Sequence, residues 1–481
     1  MSYRKSAYYQ LIREGIRQMF IGRSSELAKL NQMYRSKSFE FAVIYGRRRI
    51  GKTTLITEFG KDKKMIYYMA TESTAKENLI GLSKVVYETL MPDLKLPAFD
   101  DFENVFDFID NHIDEKLIFV IDEYPYLAQS DNSISSRLQR RIDHNWKSSK
   151  MMLILSGSSM SFMEEQVLGY KSPLYGRRTA QFKLQPFTYF ETRLFAVNYA
   201  PTEQAILYGV TGGIPEYLNR FSMEKSLHDN IVELFFSTSG MLYEEPINLL
   251  KQELRNFAIY NAVLKAIATG SSRLNEIATK VGVDTAACTN QVNTLIALGL
   301  VNKEVPYGEN EKSRKTRYRL NDNMFIFWYR FVTPNRSSIE RGMGEALFHQ
   351  KVASQMDDFM GKVFEDICME YMYEPKAMTE APFFYGNVGR WWGGNPYTKQ
   401  QEEIDIMATE GESMLLGECK WTKQEVDISV LNTLLERGKI FPHQHKWYYL
   451  FAKNGFANSV KKLAKEDKRI RLVSLGEMIN T

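Results

Sequence analysis

A short apolar run that leads directly into a glycine-framed loop is the feature that most constrains the fold of this chain. The run Phe41-Ala-Val-Ile-Tyr45 predicts a buried strand, and residues 53–59 continue with a helical pattern. Between them stands Gly46-Arg-Arg-Arg-Ile-Gly51-Lys52-Thr53. The two glycines allow the backbone to turn its N–H groups inward, and the start of the helix adds positive potential. The pattern therefore predicts a phosphate-binding loop between a parallel strand and a helix.

A second apolar run ends in two carboxylates. Leu117-Ile-Phe-Val-Ile121 is followed by Asp122-Glu123, which predicts another buried strand with an acidic end. We expect Asp122 to hold Mg²⁺, directly or through water, and Glu123 to polarise the attacking water, so that ATP is hydrolysed and not only bound. Contacts to the nucleotide are expected from the loop and the helix start, with Thr53 also ligating Mg²⁺. These residues are Gly46, Gly51, Lys52, Thr53 and Thr54.

A third apolar run, Met151-Met-Leu-Ile-Leu155, precedes Ser156-Gly-Ser158-Ser159. We expect Ser156 to lie where it could sense the γ-phosphate. Further along, Arg177 and Arg178 offer guanidinium groups that could stabilise transition-state charge, from the same or a neighbouring subunit. A structural arginine pair with surface salt bridges is nearly as well supported.

The middle of the chain has helical patterns. Residues 205–256 predict helices with one break at 240–246, which is consistent with a small lid on the ATPase. Two further patterns, 274–280 and 284–298, are separated by the short turn Val281-Gly282-Val283, as in a helix-turn-helix. The basic stretch 303–319 would form a wing. This wing is a better candidate for DNA contact than the helix predicted at 284–298. A plain solvated hairpin is an equally good interpretation of the same stretch.

A group of acidic and basic residues near the end of the chain predicts a second site. Strand alternation in Glu403-Ile-Asp405 places Asp405 opposite its isoleucine neighbours, and alternation in Glu418-Cys-Lys420 places Glu418 and Lys420 on one face. Two carboxylates and a lysine on adjacent strands suit one or two Mg²⁺ ions acting on a phosphodiester. The alternative is a surface strand pair with an ordinary Glu–Lys contact.

Bulk composition sets limits on the remaining possibilities. The 481 residues predict three or so domains, and the 44% hydrophobic and 25% charged fractions are typical of globular chains. The apolar runs are too short to span a membrane, and the first residues carry no secretory pattern, so a cytoplasmic location is expected. Three scattered cysteines suggest neither disulfides nor a zinc site. A net charge of +4 is too small to argue for nucleic-acid binding by itself.

With these motifs in place, the chain resembles archaeal-type P-loop ATPases of the STAND branch, which are close to AAA+ proteins and occur in archaea and bacteria. Phe20-Ile-Gly22-Arg23-Ser-Ser-Glu26-Leu is similar to an N-terminal element of that family, and the resemblance implies that Arg23 lies beside the nucleotide. Thr211-Gly-Gly213-Ile-Pro215 is similar to its Gly-x-Pro motif, which implies that Pro215 contacts the nucleotide from the lid.

The C-terminal residues resemble the PD-(D/E)xK nuclease pattern. The resemblance carries over to Asp405, Glu418 and Lys420, with Glu365 on the preceding helix as a fourth member. Ile404 stands where the pattern has proline, which removes no chemical group. The segment Gly389-Arg-Trp-Trp-Gly is similar to an aromatic hairpin of the same family, and packing in the core is favoured over stacking on bases as the use of its tryptophans.

Together these observations predict an α/β multidomain chain. Its expected parts are a parallel-sheet P-loop AAA+/STAND ATPase core at 1–200, a helical lid at 201–250, a winged helix-turn-helix at 251–335 and a restriction-endonuclease-like α/β domain at 350–481. The leading hypothesis is an ATPase whose nucleotide state controls a Mg²⁺-dependent DNA nuclease, for DNA processing or defence.

Two alternatives remain open. One is a regulatory switch whose C-terminal domain binds nucleic acid or protein without cleaving it. The other is a ring-shaped translocase that uses an arginine from its neighbour. The expected cofactors are ATP and Mg²⁺. The expected partners are nucleic acid, most simply DNA, a possible homo-oligomer and an unknown protein trigger, with no membrane.

Overall fold

The computed structural model describes residues 20–93 and 96–479. The chain divides into two compact units, Met1–Gln185 and Pro186–Thr481. The finer domain boundaries expected from the sequence stay predictions. Among the described residues, no helix has both the length and the apolarity needed to cross a membrane.

The first unit contains a five-stranded sheet in which every neighbouring pair is parallel, in the order β2-β3-β4-β1-β5. Its strands are β1 Glu40–Tyr45, β2 Met65–Met69, β3 Leu117–Asp122, β4 Met151–Gly157 and β5 Ala180–Lys183. Its helices are α1 Ser24–Tyr34, α2 Lys52–Gly60, α3 Ala75–Leu90, α4 Phe102–Asp110, α5 Tyr124–Ser130, α6 Ile134–His144 and α7 Met160–Phe162, with a 3₁₀ turn at Trp146–Ser148 and a π turn at Met163–Val167.

Both faces of this sheet are covered. Phe41 and Val43 of β1 pack into one apolar cluster, whereas Ala42 and Ile44 pack into another on the opposite face. A parallel sheet covered on both sides needs apolar residues at every position, which explains the unbroken apolar runs of the sequence. The predicted parallel α/β core is confirmed. Because β1, β3 and β4 are neighbours, their carboxyl ends meet at one edge of the sheet.

The second unit begins with helices. They are α8 Tyr189–Thr192, α9 Pro201–Thr211, α10 Pro215–Leu218, α11 Leu227–Phe235, α12 Glu245–Glu253, α13 Phe257–Ala268, α14 Leu274–Val281 and α15 Thr285–Ala297, with a 3₁₀ turn at Arg193–Phe195. The single break expected between 205 and 256 is wrong, because the chain also leaves the helical conformation after Thr211 and after Leu218. Gly212 and Gly213 adopt φ angles of 61° and 68°, which end α9.

A two-stranded antiparallel hairpin follows, formed by β6 Val301–Glu304 and β7 Arg317–Leu320. Helices α14 and α15 and this hairpin occur in the order that the sequence suggested, and the designation as a winged helix-turn-helix stays a prediction. More helical segments come next: α16 Asn323–Phe327, α17 Arg336–Glu340, α18 Gly344–Leu347, α19 Met356–Tyr371 and α20 Pro375–Thr379. Between them lie π turns at Trp328–Val332 and Phe348–Val352 and 3₁₀ turns at Thr333–Asn335 and Ala353–Gln355.

The chain ends in a mixed five-stranded sheet in the order β12-β11-β10-β9-β8. Its elements are β8 Gly389–Gly394, β9 Gln401–Glu410, β10 Ser413–Lys420, α21 Ile428–Gly438, β11 His445–Ala452, α22 Asn458–Glu466, β12 Ile470–Ser474 and α23 Leu475–Met478. Strands β8, β9 and β10 pair antiparallel, and β10, β11 and β12 pair parallel. Gly417 of β10 lies opposite Ile406 of β9, so Asp405 and Glu418 occupy neighbouring positions at the same end of the pair.

Candidate functional site

The first site lies in the loop between β1 and α2. Gly46 has a φ angle of 154°, and a Cβ atom there would lie 2.6 Å from the Leu184 carbonyl oxygen. Gly51 has a φ angle of 88° and precedes the first residue of α2. Only glycine adopts these conformations without strain, so both glycines are required by the path of the loop. The loop thus presents the start of α2 toward its own concave side.

The Lys52 side chain is folded across this loop. Its Nζ donates to the carbonyl oxygens of Gly46, at 2.9 Å, and of Arg47, at 3.0 Å. The lysine is buried, whereas Thr53 and Thr54 at the start of α2 are exposed. The ammonium group therefore lies at the mouth of the loop, where it can pair with phosphate oxygens.

Asp122 and Thr53 form the candidate Mg²⁺ ligands of this unit. The Thr53 hydroxyl donates to Asp122 Oδ2 over 2.9 Å, and the Asp122 side chain is almost fully buried. A second hydroxyl, that of Tyr67 on β2, also donates to Asp122 Oδ2. Burial and the Asp122 charge together raise the pKa of Tyr67. Mg²⁺ is usually held by one or two protein oxygen donors together with water and substrate phosphates, so these residues fit this ion.

Glu123 follows Asp122 with a positive φ angle of 49°. Its Oε2 accepts hydrogen bonds from the backbone N–H of Ser158, at 3.1 Å, and from the Ser158 hydroxyl, at 2.8 Å. Ser156 is fully buried, and its hydroxyl has no hydrogen-bond partner among the described residues. Ser158, which follows β4, is thus the serine that contacts Glu123. The role of Ser156 in sensing the γ-phosphate stays a prediction.

The two arginines proposed as charge-stabilising groups differ in their contacts. Arg177 forms a double ion pair with Asp143 of α6, with Nε 3.1 Å from each carboxylate oxygen. This pairing lowers the pKa of Asp143 to about 2. Arg178 is half-buried. Burial raises the pKa of Tyr45, and the positive charge of Arg178 offsets part of this rise. Within the unit, Arg177 therefore has the contacts of a structural arginine that forms a salt bridge. The role of Arg178 stays a prediction.

Two residues were assigned by resemblance alone. Arg23 is buried, and its Nη2 donates to the Ile50 carbonyl oxygen at 3.3 Å and to the carbonyl oxygen of Gln185. The arginine thereby ties the end of the phosphate loop to the end of the unit. Pro215 belongs to the second unit, where it starts α10. Its contact with a nucleotide stays a prediction.

The second unit brings the predicted acidic residues of the C-terminal sheet together. Asp405 lies on β9 and accepts a hydrogen bond from the Cys419 backbone N–H at 2.9 Å. Burial, followed by the nearby carboxylates of Glu365 and Glu418, raises the pKa of Asp405 to about 7. Three carboxylates thus lie close together and repel one another. A divalent cation bound between them would relieve this repulsion. Their donor chemistry fits Mg²⁺.

Glu418 is paired with two cations. Lys420 Nζ lies 2.7 Å from Glu418 Oε1, and Arg437 Nη1 lies 2.9 Å from Oε2. Arg437 also contacts Glu402 over 2.9 Å. The Glu418–Lys420 proximity was expected from alternation, but Arg437 was missed, because its position at the end of α21 carries no local pattern that points to β10.

Glu365 on α19 is buried and has two cationic neighbours as well. Lys362 Nζ lies 2.9 Å from Oε1, and Arg390 Nε lies 3.1 Å from Oε2. Arg390 also contacts Asp366 over 2.7 Å and Glu304 of the hairpin over 3.4 Å. The Arg390 guanidinium thereby connects the predicted acidic site to the hairpin.

Further hairpin contacts extend this connection. Arg317 pairs with Glu403 over 2.6 Å, and its guanidinium lies 4.6 Å from the ring centre of Trp392. The Trp392 indole donates to the Lys315 carbonyl oxygen at 3.0 Å. A cleft of about 300 Å³ is lined by hairpin residues together with Glu365 and Asp405. Basic hairpin residues expected to meet DNA thus contact the C-terminal sheet.

Comparison with known proteins places these sites in context. Residues 20–221 match a family described as an ATPase domain predominantly from Archaea, and residues 328–431 match a family described as Archaea bacterial proteins of unknown function. The Walker-type ATPase of Pyrococcus abyssi has a similar structure, with a TM-score of 0.51 at 20% identity over 65% of this chain and 97% of that one. This likeness concerns the fold.

Two relatives are found in Methanocaldococcus jannaschii. An uncharacterized ATP-binding protein is 40% identical over 47 residues, which is 10% of this chain and 80% of that protein. A larger uncharacterized protein is 33% identical over 405 residues, which is 84% of this chain and 88% of that protein. The chain therefore belongs to the family of this larger archaeal protein, and it is an ATP-binding and ATP-hydrolysing P-loop ATPase.

Proposed function

We propose that this ATPase controls a Mg²⁺-dependent DNA nuclease centre located in its own C-terminal sheet. The observation that carries the proposal is the convergence of Asp405, Glu418 and Glu365, whose mutual repulsion contributes to the raised pKa of Asp405, with Lys420 beside them. An acidic cluster of this kind suits cation-assisted phosphodiester hydrolysis, in which a bound cation polarises phosphate and lowers the pKa of water.

In the ATPase unit, each side chain has a distinct part. Lys52 neutralises charge on the terminal phosphates, while Thr53 and Asp122 would hold Mg²⁺. Glu123 orients the water that attacks the γ-phosphate, and Ser158 fixes the Glu123 carboxylate through two hydrogen bonds. ATP is the substrate of this unit, and its hydrolysis resets the unit after each cycle.

In the nuclease centre, the acidic residues would hold Mg²⁺ and Lys420 would orient the attacking water. The water oxygen forms a bond to phosphorus, the bond to one ester oxygen breaks, and the departing oxygen takes a proton. Burial acts to lower the pKa of the Lys420 ammonium group, but the nearby Glu418 carboxylate contributes to a net rise, so Lys420 is cationic in this structure. Its role is therefore electrostatic, and the proton comes from water.

The hairpin would control access of DNA to the acidic residues. The cleft shared by the hairpin and the acidic residues measures about 300 Å³, at the lower limit for small-molecule sites and far below the size of a DNA duplex. On this proposal, a strand approaches Asp405 after the hairpin moves. We infer that the nucleotide state changes the position of the hairpin and thereby opens or closes the acidic site.

A second function is favoured by a different observation. Both oxygens of Glu365 and of Glu418 already face lysine or arginine. An acidic cluster in which two of the three carboxylates are neutralised in this way can serve as a rigid structural network, in which case the chain would be a STAND-type regulatory switch. Its C-terminal region would then bind nucleic acid or protein without cutting.

The test compares cleavage of labelled single-stranded, duplex and branched DNA with Mg²⁺ or Mn²⁺, with and without ATP. The variants are Asp405→Asn, Lys52→Ala and, as a matched control, Glu410→Gln at the exposed end of the same strand. We expect cleavage to disappear in Asp405→Asn, to change in Lys52→Ala and to persist in Glu410→Gln. If no DNA is cut while ATP hydrolysis is intact, the switch is the better assignment.

A further inference from the structure

Two histidines and a glutamate converge in the second unit, away from the acidic site of the C-terminal sheet. One ligand atom each from His228, Glu345 and His349 lie within 4.8 Å of one another. His349 Nε2 is 2.9 Å from Glu345 Oε1, and His228 Nε2 is 3.4 Å from the same oxygen. Two imidazole nitrogens thus face one carboxylate oxygen.

The surroundings of His228 leave its Nε2 atom available as a ligand. This nitrogen is shielded from solvent and has no hydrogen-bond partner within the described part of the chain. The other ring nitrogen, Nδ1, lies 3.3 Å from Asp229 Oδ1. A carboxylate that accepts the Nδ1 proton fixes the tautomer in which Nε2 carries a lone pair, as it does for metal-bound histidines.

The helices that carry these residues are held together by apolar packing. His228 is the second residue of α11, while Glu345 and His349 lie four residues apart on the helical stretch Gly344–Val352. That spacing puts both side chains on one face. The ring of buried Phe348 packs edge-on against His228, with ring centres 4.7 Å apart. Packing against the core therefore positions His228, whereas Glu345 and His349 are exposed side chains held on one face of their helical stretch.

The distances suit a small divalent transition-metal ion. In a tetrahedral site with bonds of about 2.0–2.1 Å, neighbouring ligand atoms lie about 3.3 Å apart. The two separations that involve Glu345 Oε1, 2.9 and 3.4 Å, bracket this value, and all three ligand atoms lie within 4.8 Å of one another. Two imidazoles and one carboxylate favour Zn²⁺ over Mg²⁺ or Ca²⁺, which prefer oxygen donors.

We propose that His228, Glu345 and His349 bind a Zn²⁺-class metal ion, with water as the fourth ligand. The ion would join α11 to the segment that leads into α19, the helix that carries Glu365. This site is independent of the proposed nuclease, because none of its ligands belongs to the acidic cluster. It would act as a clip that limits movement between these helices.

The test uses the full-length protein after removal of metal with a chelator. Zn²⁺ is then titrated in competition with a chromophoric chelator, and Co²⁺ is added separately to record its visible absorption. The variants are His228→Asn and His349→Asn, and the control is His445→Asn, an exposed histidine of the same unit. The melting temperature of each metal-free protein verifies that it is folded.

We expect each of the two variants to bind one Zn²⁺ fewer than the wild type, or to bind it at least about 10-fold more weakly. The Co²⁺ absorption should weaken with it, and His445→Asn should behave like the wild type. Equal Zn²⁺ stoichiometry and affinity in the wild type and in both folded variants would overturn the proposal. So would a wild type that binds no Zn²⁺.

Discussion

Replacing Glu370 by glutamine should reduce the loss of stability of the second unit at alkaline pH. The carboxyl group of Glu370 on α19 accepts hydrogen bonds of 2.7 Å from the Tyr189 backbone N–H and the Tyr208 hydroxyl. Burial is the largest cause that raises its pKa from 4.5 to about 8, and the negative charges of Asp366 and Glu191 contribute. The folded unit therefore retains a proton there at neutral pH.

The direction in which stability changes with pH follows from proton binding to Glu370 in the folded and unfolded states. The unfolded chain releases this proton near pH 4.5, whereas the folded unit keeps it until about pH 8. The stabilising effect is thus complete below pH 4.5 and is lost as the pH rises through 8. At ~1.4 kcal/mol per pH unit, the upper limit is ~5 kcal/mol. The carboxyl group borders an open cleft of about 450 Å³, and solvent there reduces the effect. We expect ~1–3 kcal/mol.

Glutamine reproduces the protonated form, because its oxygen can accept the Tyr189 N–H and its amide, like a protonated carboxyl group, can donate to the Tyr208 oxygen when the tyrosine hydroxyl turns away. The melting temperatures of the wild type and of Glu370→Gln should be similar at pH 4.5. At pH 8.5 the variant should melt about 2–6 °C higher. Differential scanning fluorimetry at both pH values measures this, with Glu410→Gln as an exposed control. A difference that does not change with pH would refute the reasoning.

Three other predictions concern the two sites. Glu123→Gln should bind ATP but lose at least about 100-fold in kcat, because the amide cannot act on the attacking water; phosphate release and nucleotide binding measure the two effects. Arg177→Ala should leave ATP turnover nearly unchanged and cost at most about 1 kcal/mol in stability, because its partner is Asp143. A kcat loss of about 1000-fold or more would instead identify an arginine finger. Arg317→Ala should increase ATP-independent DNA cleavage by removing the ion pair to Glu403, and unchanged cleavage in quantitative assays would contradict control by the hairpin.

Local patterns were sufficient for the parts of the molecule in which sequence neighbours form the site. The strand before Gly46 and the helix after it are fixed by hydrophobic runs and by glycine. Alternation along β9 and β10 placed Asp405 near Glu418 because strand geometry repeats every two residues. In both cases the relevant geometry is set within a few residues of the motif.

Side chains that arrive from distant elements could not be predicted in this way. Arg437 reaches Glu418 from a different helix, and Tyr67 reaches Asp122 from a neighbouring strand. No periodicity within α21 or β2 encodes those contacts, because they depend on how the elements pack. The same holds for Ser158, which differs from Ser156 only in its position relative to Glu123.

Arg390 gives the hairpin a direct effect on the acidic site. Its guanidinium contacts Glu365, Asp366 and Glu304 at once, and the nearby acidic charges raise its pKa despite burial. If the hairpin moved away, Glu304 would leave and Arg390 would be held by the two carboxylates of α19 alone. The hairpin would also withdraw Arg319 from Asp366 and Arg317 from Glu403, so that more positive than negative charge would leave and the region would become more attractive to a cation. Hairpin movement would therefore change both access to the acidic site and the strength with which this site attracts a cation.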